Sequence, residues 1–338
     1  MRALLFLLVM AIPAISLAAS YKKGFVTIAP GRSLYVEHRP AAPGKPTLFL
    51  LNGLTYSTRE WFLFLTALDA LDPDLGIVLY DMKGMGKTLL AEAPVNYDIP
   101  FSGQAEDLKL LLSALDIKGE KVAAGLSYGG AVALDYLRRF PDDFSKVIAI
   151  SPFLAKLPSQ DEMLNTQVRT HQVMYPWDPR TADELYDYYL RILITTTYPI
   201  QEPIILENPF KLEGVYRMVK GAKKWNSFDV VNQFPPGKLH LVSGSLDQFV
   251  ALSWQAEFWQ AVPPAARASW INILGAPHKL TETYSSFSAA WVLEILNNNG
   301  ELSKGLSFVG DILRGEATSG AVTIPLYNSK AKSCAAEL

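Results

Sequence analysis

Two rhythms alternate along the 338-residue chain: short unbroken apolar runs, and longer stretches with apolar residues three and four positions apart. The runs at 47–51 and 76–80 read as buried strands, the first bounded by Pro46 and Asn52-Gly53 as expected of a strand buried on both faces, and the segments at 121–124, 147–150, 239–242 and 270–273 read as further strands. The stretches near 61–68, 105–115, 128–140, 254–260 and 285–296 are spaced as helices, with Leu108, Leu111, Leu112 and Leu115 marking the period. Arg138 and Arg139 suit the C-terminal dipole of the 128–140 helix, and Pro141 stops it. Upstream, 24–28 and 33–38, joined through Pro30 and Gly31, read as an antiparallel hairpin. Strands alternating with helices predict an α/β fold built on a mostly parallel, doubly wound sheet.

The strand rhythm breaks after Ile150. Residues 152–235 show helical stretches at 182–195 and 215–224 with proline-rich breaks, which predicts a helical cap over the C-terminal edge of the sheet. The expected organisation is therefore a core of 21–151 and 236–297, a cap of 152–235, and a polar tail of 298–338 whose role is not legible. Residues 1–20 read as a cleaved signal peptide: Arg2, then an apolar run broken only by Pro13, then Ser16-Leu17-Ala18. That run is short for a membrane span, so no stable span is expected after its removal, and the protein is expected to be secreted or periplasmic, by bacterial export.

Composition narrows the classes. Hydrophobic residues make up 49% and charged residues 19%, enough for a large core and too few charges for global disorder. A formal charge of -2 leaves no basic footprint, so no nucleic-acid partner is expected. The single cysteine, Cys334, cannot form an internal disulfide, and it reads as an inert tail thiol. Oligomeric state is not readable.

Candidate chemistry centres on Gly125-Leu126-Ser127-Tyr128-Gly129, a G-x-S-x-G segment between an apolar strand and a helix. A sharp turn of this kind lifts a serine above the sheet, and side chains at its two glycines would collide. A serine hydroxyl needs a base, and the base needs an orienting carboxylate. Of four histidines, His38 lies on the edge hairpin, His171 in the cap and His240 inside a strand. His278 lies in a loop just past a buried strand, the same sheet edge as Ser127. Asp247 follows the strand at 239–242 and a Gly-Ser turn; an Asx-turn or a helix N-cap is its plain structural alternative. Backbone N–H groups of Leu54 and Tyr128 are the candidate oxyanion donors, although Asn52-Gly53 alone is also consistent with a tight turn.

With these residues in order, the chain resembles the α/β-hydrolase fold superfamily, in its serine-nucleophile branch with an inserted helical cap. Asn52-Gly53 stands where the family usually has His-Gly, and 81–88 resembles its D-x-R-G-x-G-x-S loop. Asn52 in place of histidine alters the expected oxyanion loop, and the lipase and iminopeptidase glycine-rich segments are absent. Serine rather than aspartate at the elbow argues against epoxide hydrolase and haloalkane dehalogenase chemistry. Gly86-Lys87-Thr88 ends like a phosphate-binding loop, but the first glycine of that motif is Asp81 here. Tyr175, Trp177, Tyr186, Tyr188 and Tyr189 fit cap packing, with some available to line an apolar pocket, and Lys220, Lys223 and Lys224 read as a solvated helix face.

The resemblance implies an exported serine hydrolase, carboxylesterase- or lipase-like, that cleaves an ester through an acyl-enzyme on Ser127, with His278 as base and Asp247 as orienter. Amide and thioester bonds are alternatives. The expected partner is a small-molecule or lipid-like acyl substrate, and no cofactor or metal is implied. The competing readings are a non-catalytic binding protein on this scaffold and an acyltransferase using the same residues.

Overall fold

The computed structural model describes residues 20–155, 158–197 and 208–327. The segment expected to be a signal peptide, up to residue 19, and Cys334 lie outside the described residues. Eleven strands form one sheet: β1 (Lys22–Ala29), β2 (Arg32–Arg39), β3 (Thr47–Leu51), β4 (Gly76–Asp81), β5 (Lys121–Leu126), β6 (Lys146–Ile150), β7 (Leu239–Gly244), β8 (Arg267–Ile273), β9 (Leu306–Asp311), β10 (Glu316–Ser319) and β11 (Val322–Pro325). Their spatial order is β1-β2-β4-β3-β5-β6-β7-β8-β9-β10-β11. Strands β4 through β9 in that order run parallel, and antiparallel strands flank the block on both sides. The expected α/β fold with a mostly parallel sheet is thus present.

The unbroken apolar runs are explained by two cores. Side chains alternate across a strand, so Leu48 and Leu50 enter one cluster while Phe49 and Leu51 enter the other. Ile77 and Leu79 divide from Val78 and Tyr80 in the same way. Helices α1 (Phe62–Leu71) and α10 (Ser285–Leu296) cover one face. Helices α3 (Phe101–Leu115), α4 (Tyr128–Arg139) and α8 (Leu252–Ala261) cover the other. Short α2 (Gly86–Glu92) follows β4, and α9 (Leu280–Thr283) precedes α10. The chain moves from β3 outward to β4, then crosses back to β5 on the other side of β3. The crevice at such a reversal is where open α/β sheets bind ligands.

Among the described residues, three α-helices lie between β6 and β7: α5 (Pro158–Met174), α6 (Ala182–Thr197) and α7 (Lys211–Ala222). They share a small core of their own, including Leu164, Leu190 and Val215. Helix α7 also docks on the sheet domain. A side chain at Gly221 would strike the Ile99 carbonyl at 2.0 Å, and one at Gly214 the Gly84 carbonyl at 2.2 Å. The Ile99 N–H donates to the Arg217 carbonyl at 3.0 Å, and Met218 is fully buried in the larger core.

The polar stretch from residue 298 carries strands that the sequence did not reveal. β9 pairs in parallel with β8, and β10 and β11 complete an antiparallel meander. These strands are short and bury only one or two residues each, so a continuous apolar run never forms; the buried side chains are spaced out as Phe308, Ala317 and Ile324. Phe308 meets Trp291 of α10 edge-on, with ring centroids 5.3 Å apart. Phe308→Ala is expected to destabilise the protein by about 3–5 kcal/mol, as core aromatic truncations do. Urea unfolding checks this, and a loss below about 1 kcal/mol would show that the meander contributes little to the core.

Candidate active site

Ser127 joins β5 to α4 with φ 55° and ψ -112°, a conformation that costs a non-glycine residue about 1–3 kcal/mol. The surroundings enforce it. The Ser127 N–H donates to the Ile150 carbonyl at 2.9 Å, and the Ser127 carbonyl accepts from the Phe153 N–H at 3.0 Å. The glycines permit the close approach: a Cβ at Gly125 would sit 2.2 Å from the Gly129 carbonyl oxygen, and one at Gly129 2.2 Å from that of Leu51. The elbow is therefore pressed against the end of β3 and tied to β6.

Asp247 and His278 arrive from the ends of β7 and β8. Their loops are joined backbone to backbone. The Leu246 N–H donates to the Ala276 carbonyl at 2.9 Å, and Gly244 lies so close to that carbonyl that a Cβ would approach it to 2.4 Å. His278 Nδ1 lies 2.9 and 3.0 Å from the two Asp247 carboxylate oxygens, which leaves Nε2 as the ring nitrogen available to a substrate or nucleophile. Asp247 Oδ1 also accepts from the Phe249 and Val250 N–H groups, so the Asx-type turn and the histidine contact coexist in one side chain. Burial pushes the Asp247 carboxyl up, but the His278 hydrogen bond and the two amides outweigh it and hold it below the usual carboxylate range. Behind it stands a buried relay: Gln255 Nε2 lies 3.5 Å from Asp247 Oδ2, Ser243 Oγ donates to Gln255 Oε1, and Trp270 Nε1 donates to Ser243 Oγ.

Ser127, His278, Leu54 and Tyr128 all line one cavity of about 620 Å³ between the sheet edge and the helices that follow β6. Asp247 and His278 are hydrogen-bonded; Ser127 shares the cavity with His278 without a hydrogen bond between them. No acceptor among the described residues engages the Leu54 or Tyr128 amide. Leu164, Leu190 and Val215 supply apolar wall, and so does Tyr186 of the aromatic cap residues. Lys220 and Lys223 also line the cavity instead of forming a wholly solvated face. Among the described residues, no cluster of three or more His, Cys, Asp or Glu could hold a metal ion.

Two of the other histidines are held by neighbouring side chains. His240 is buried against Ser269 Oγ at 2.8 Å, and burial lowers its pKa to about 3, so it stays neutral. His171 of α5 bridges Tyr189 of α6 and Asp178 of the loop between the two helices, away from the Ser127 cavity. Thr88, at the end of the phosphate-loop-like segment, is fully buried; its hydroxyl donates to the Asp81 carbonyl and accepts from the Tyr35 N–H.

Two residues beside the Gly53-Leu54 loop carry no sequence signal of their role. Asn52, in the position where histidine is usual, donates to the Tyr80 carbonyl and accepts from Trp61 Nε1, each at 3.0 Å, and so ties β3 to β4. Glu60 is buried on the cavity wall, and its carboxylate oxygen accepts from the Gly53 N–H at 2.6 Å. Nothing in Thr58-Arg59-Glu60-Trp61 marks the glutamate, because its partner is a backbone amide.

The chain belongs to the alpha/beta hydrolase family. The family model for alpha/beta hydrolases matches residues 48–290, most of the sheet and all of the cavity. A poly(3-hydroxyalkanoate) depolymerase of Ectopseudomonas oleovorans is 29% identical over 117 residues, 35% of this chain and 38% of that protein. The chain thus matches about two fifths of that relative's length. Among solved structures, an alpha/beta hydrolase enzyme from a Medee basin deep-sea metagenome library superposes with a TM-score of 0.60 at 17% identity, over 81% of this chain and 97% of that one. A thermophilic esterase from Thermogutta terrifontis gives 0.56 at 18% identity, over 84% and 100%. At these identities the two structures speak for the fold.

Burial raises the Glu60 pKa from 4.5 to about 8, against the opposing pull of the Gly53 amide. Between those values the unfolded chain ionises Glu60 while the folded protein keeps the proton, so this residue makes stability fall as pH rises through that window. Thermal melts of Glu60→Gln are expected to decline less than wild type from about pH 5 to about pH 8. Parallel declines would show that the Glu60 carboxyl titrates normally.

Proposed function

We propose that this protein is an exported serine hydrolase that cleaves esters through an acyl-enzyme on Ser127. The observation that carries the reading is the Asp247–His278 pair, hydrogen-bonded at 2.9 Å and opening on the same cavity as a serine held at positive φ. Family membership and the names of the similar proteins, a polyester depolymerase and an esterase, support an ester as the bond cleaved. The largely apolar cavity supports an aliphatic or aromatic acyl group.

In this mechanism Ser127 Oγ attacks the acyl carbon while His278 Nε2 takes its proton. Asp247, held ionised by its hydrogen bonds, fixes the Nδ1–H tautomer and stabilises the imidazolium. The Leu54 and Tyr128 amides receive the developing oxyanion, an interaction worth roughly 3–4 kcal/mol per donor in comparable sites. His278 returns the proton to the departing alcohol, then activates water against the acyl-enzyme. Glu60 acts on this step only through Gly53, by holding the loop that carries Leu54. The export element of the reading rests on the signal-like residues 1–20, and mass analysis of the mature N-terminus tests it.

Ser127→Ala should cut p-nitrophenyl ester hydrolysis by at least about a thousandfold, and Asp247→Asn by a comparable factor, with melting temperatures near wild type. A fluorophosphonate probe should label Ser127 in wild type and miss it in Ser127→Ala. Undiminished turnover in Ser127→Ala would remove the serine from the mechanism.

A further inference from the structure

Four lysines line the cavity that holds Ser127: Lys211, Lys220, Lys223 and Lys279. Three of them are engaged. Lys220 Nζ pairs with Asp187 at 2.7 Å, and Lys223 Nζ sits 4.0 Å from the centre of the Tyr186 ring. Lys279 Nζ sits 4.0 Å from the centre of the Tyr56 ring and 3.5 Å from Glu282. Lys211, at the start of α7, has no acidic or aromatic partner among the described residues, although it is half-buried. The two carboxyl groups on the cavity wall among the described residues, Asp187 and Glu60, do not compensate it. Asp187 is taken by Lys220, and Glu60 is turned to the Gly53 amide.

We infer that the substrate carries an anionic oxygen group, a carboxylate or a phosphate, which Lys211 binds while the ester lies at Ser127. This deepens the ester-hydrolase reading and rests on it. The physical reason is desolvation. A partly buried ammonium already gives up hydration, and burial holds the Lys211 pKa below its usual value. An apolar acyl chain filling the cavity would strip more water from it. A neutral ligand leaves that cost standing, whereas an anion offsets it with a charge-assisted hydrogen bond. A lysine serving only solubility would extend its head to open water; Lys211 instead lines the same enclosure as the nucleophile. The site thus selects amphipathic esters with an apolar stretch and one anionic end.

The test uses p-nitrophenyl hemiesters of α,ω-dicarboxylic acids of graded length, each against its methyl-capped neutral twin, and a second series ending in a phosphate monoester. The ratio of kcat/KM for charged over neutral substrate is read, so any general loss in a variant cancels. In wild type this ratio should reach about tenfold at one or more lengths, the scale of one hydrogen bond to a charged group. Lys211→Met should collapse it towards one, and Lys211→Arg should retain most of it. The series showing the larger ratio identifies the anion. A wild-type ratio near one at every length in both series, or a ratio that survives in Lys211→Met, would overturn the inference while leaving the hydrolase reading intact. Absence of Ser127-dependent cleavage of the neutral esters would overturn both.

Discussion

The strained backbone at Ser127 is the constraint on which the rest of this structure depends. A positive φ at a non-glycine residue persists only where neighbours leave the chain no alternative. Here the neighbours are main-chain atoms. The Ile150 carbonyl and the Phe153 amide grip the serine's own peptide groups, and Gly125 and Gly129 admit carbonyl oxygens where side chains would stand. Because β3, β5 and β6 are adjacent and parallel, their C-terminal ends meet at this point, and the sheet supplies the force that holds the turn. The serine is thereby fixed in place before any ligand arrives.

The same economy of main-chain contact recurs at the acid and the base. The Asp247 and His278 loops leave neighbouring strands and are fastened by an amide–carbonyl bond beside Gly244, so their side chains are brought together. The polar chain Trp270–Ser243–Gln255 then backs the carboxylate inside an otherwise apolar layer. Such a chain is tolerable because its members satisfy one another, whereas isolated polar groups there would be costly.

Much of this was legible in the residues. The central strands announce themselves because both faces are buried, which removes polar positions from 47–51, 76–80 and 147–150. Gly125 and Gly129 mark the elbow because sterics admit nothing larger. Asp247 and His278 could be singled out because each follows a buried strand on the edge where Ser127 must lie. The meander of β9 to β11 escaped notice because short strands that bury only one or two residues each make no run. Glu60 escaped because its partner is the Gly53 amide, a group every residue possesses and no sequence pattern encodes, and Asn52 could be noted as a departure from histidine but not given its partners, the Tyr80 carbonyl and Trp61 Nε1. Gly214 and Gly221 carry no sequence signal of their own; the reason for them is the backbone at Gly84 and Ile99, more than a hundred residues away along the sequence.

Those two glycines give the helices above the sheet an asymmetry. Helix α7 touches the sheet domain backbone to backbone, with Met218 anchored in the main core, so it is a fixed wall of the chamber. Helices α5 and α6 share a hydrophobic cluster with α7 and with Leu54. Substitutions along α5 and α6 can therefore reshape the chamber's far side without disturbing the floor on which the serine stands. Diversification of what such a scaffold accepts has one face on which to proceed, and α7 keeps the opposite face constant.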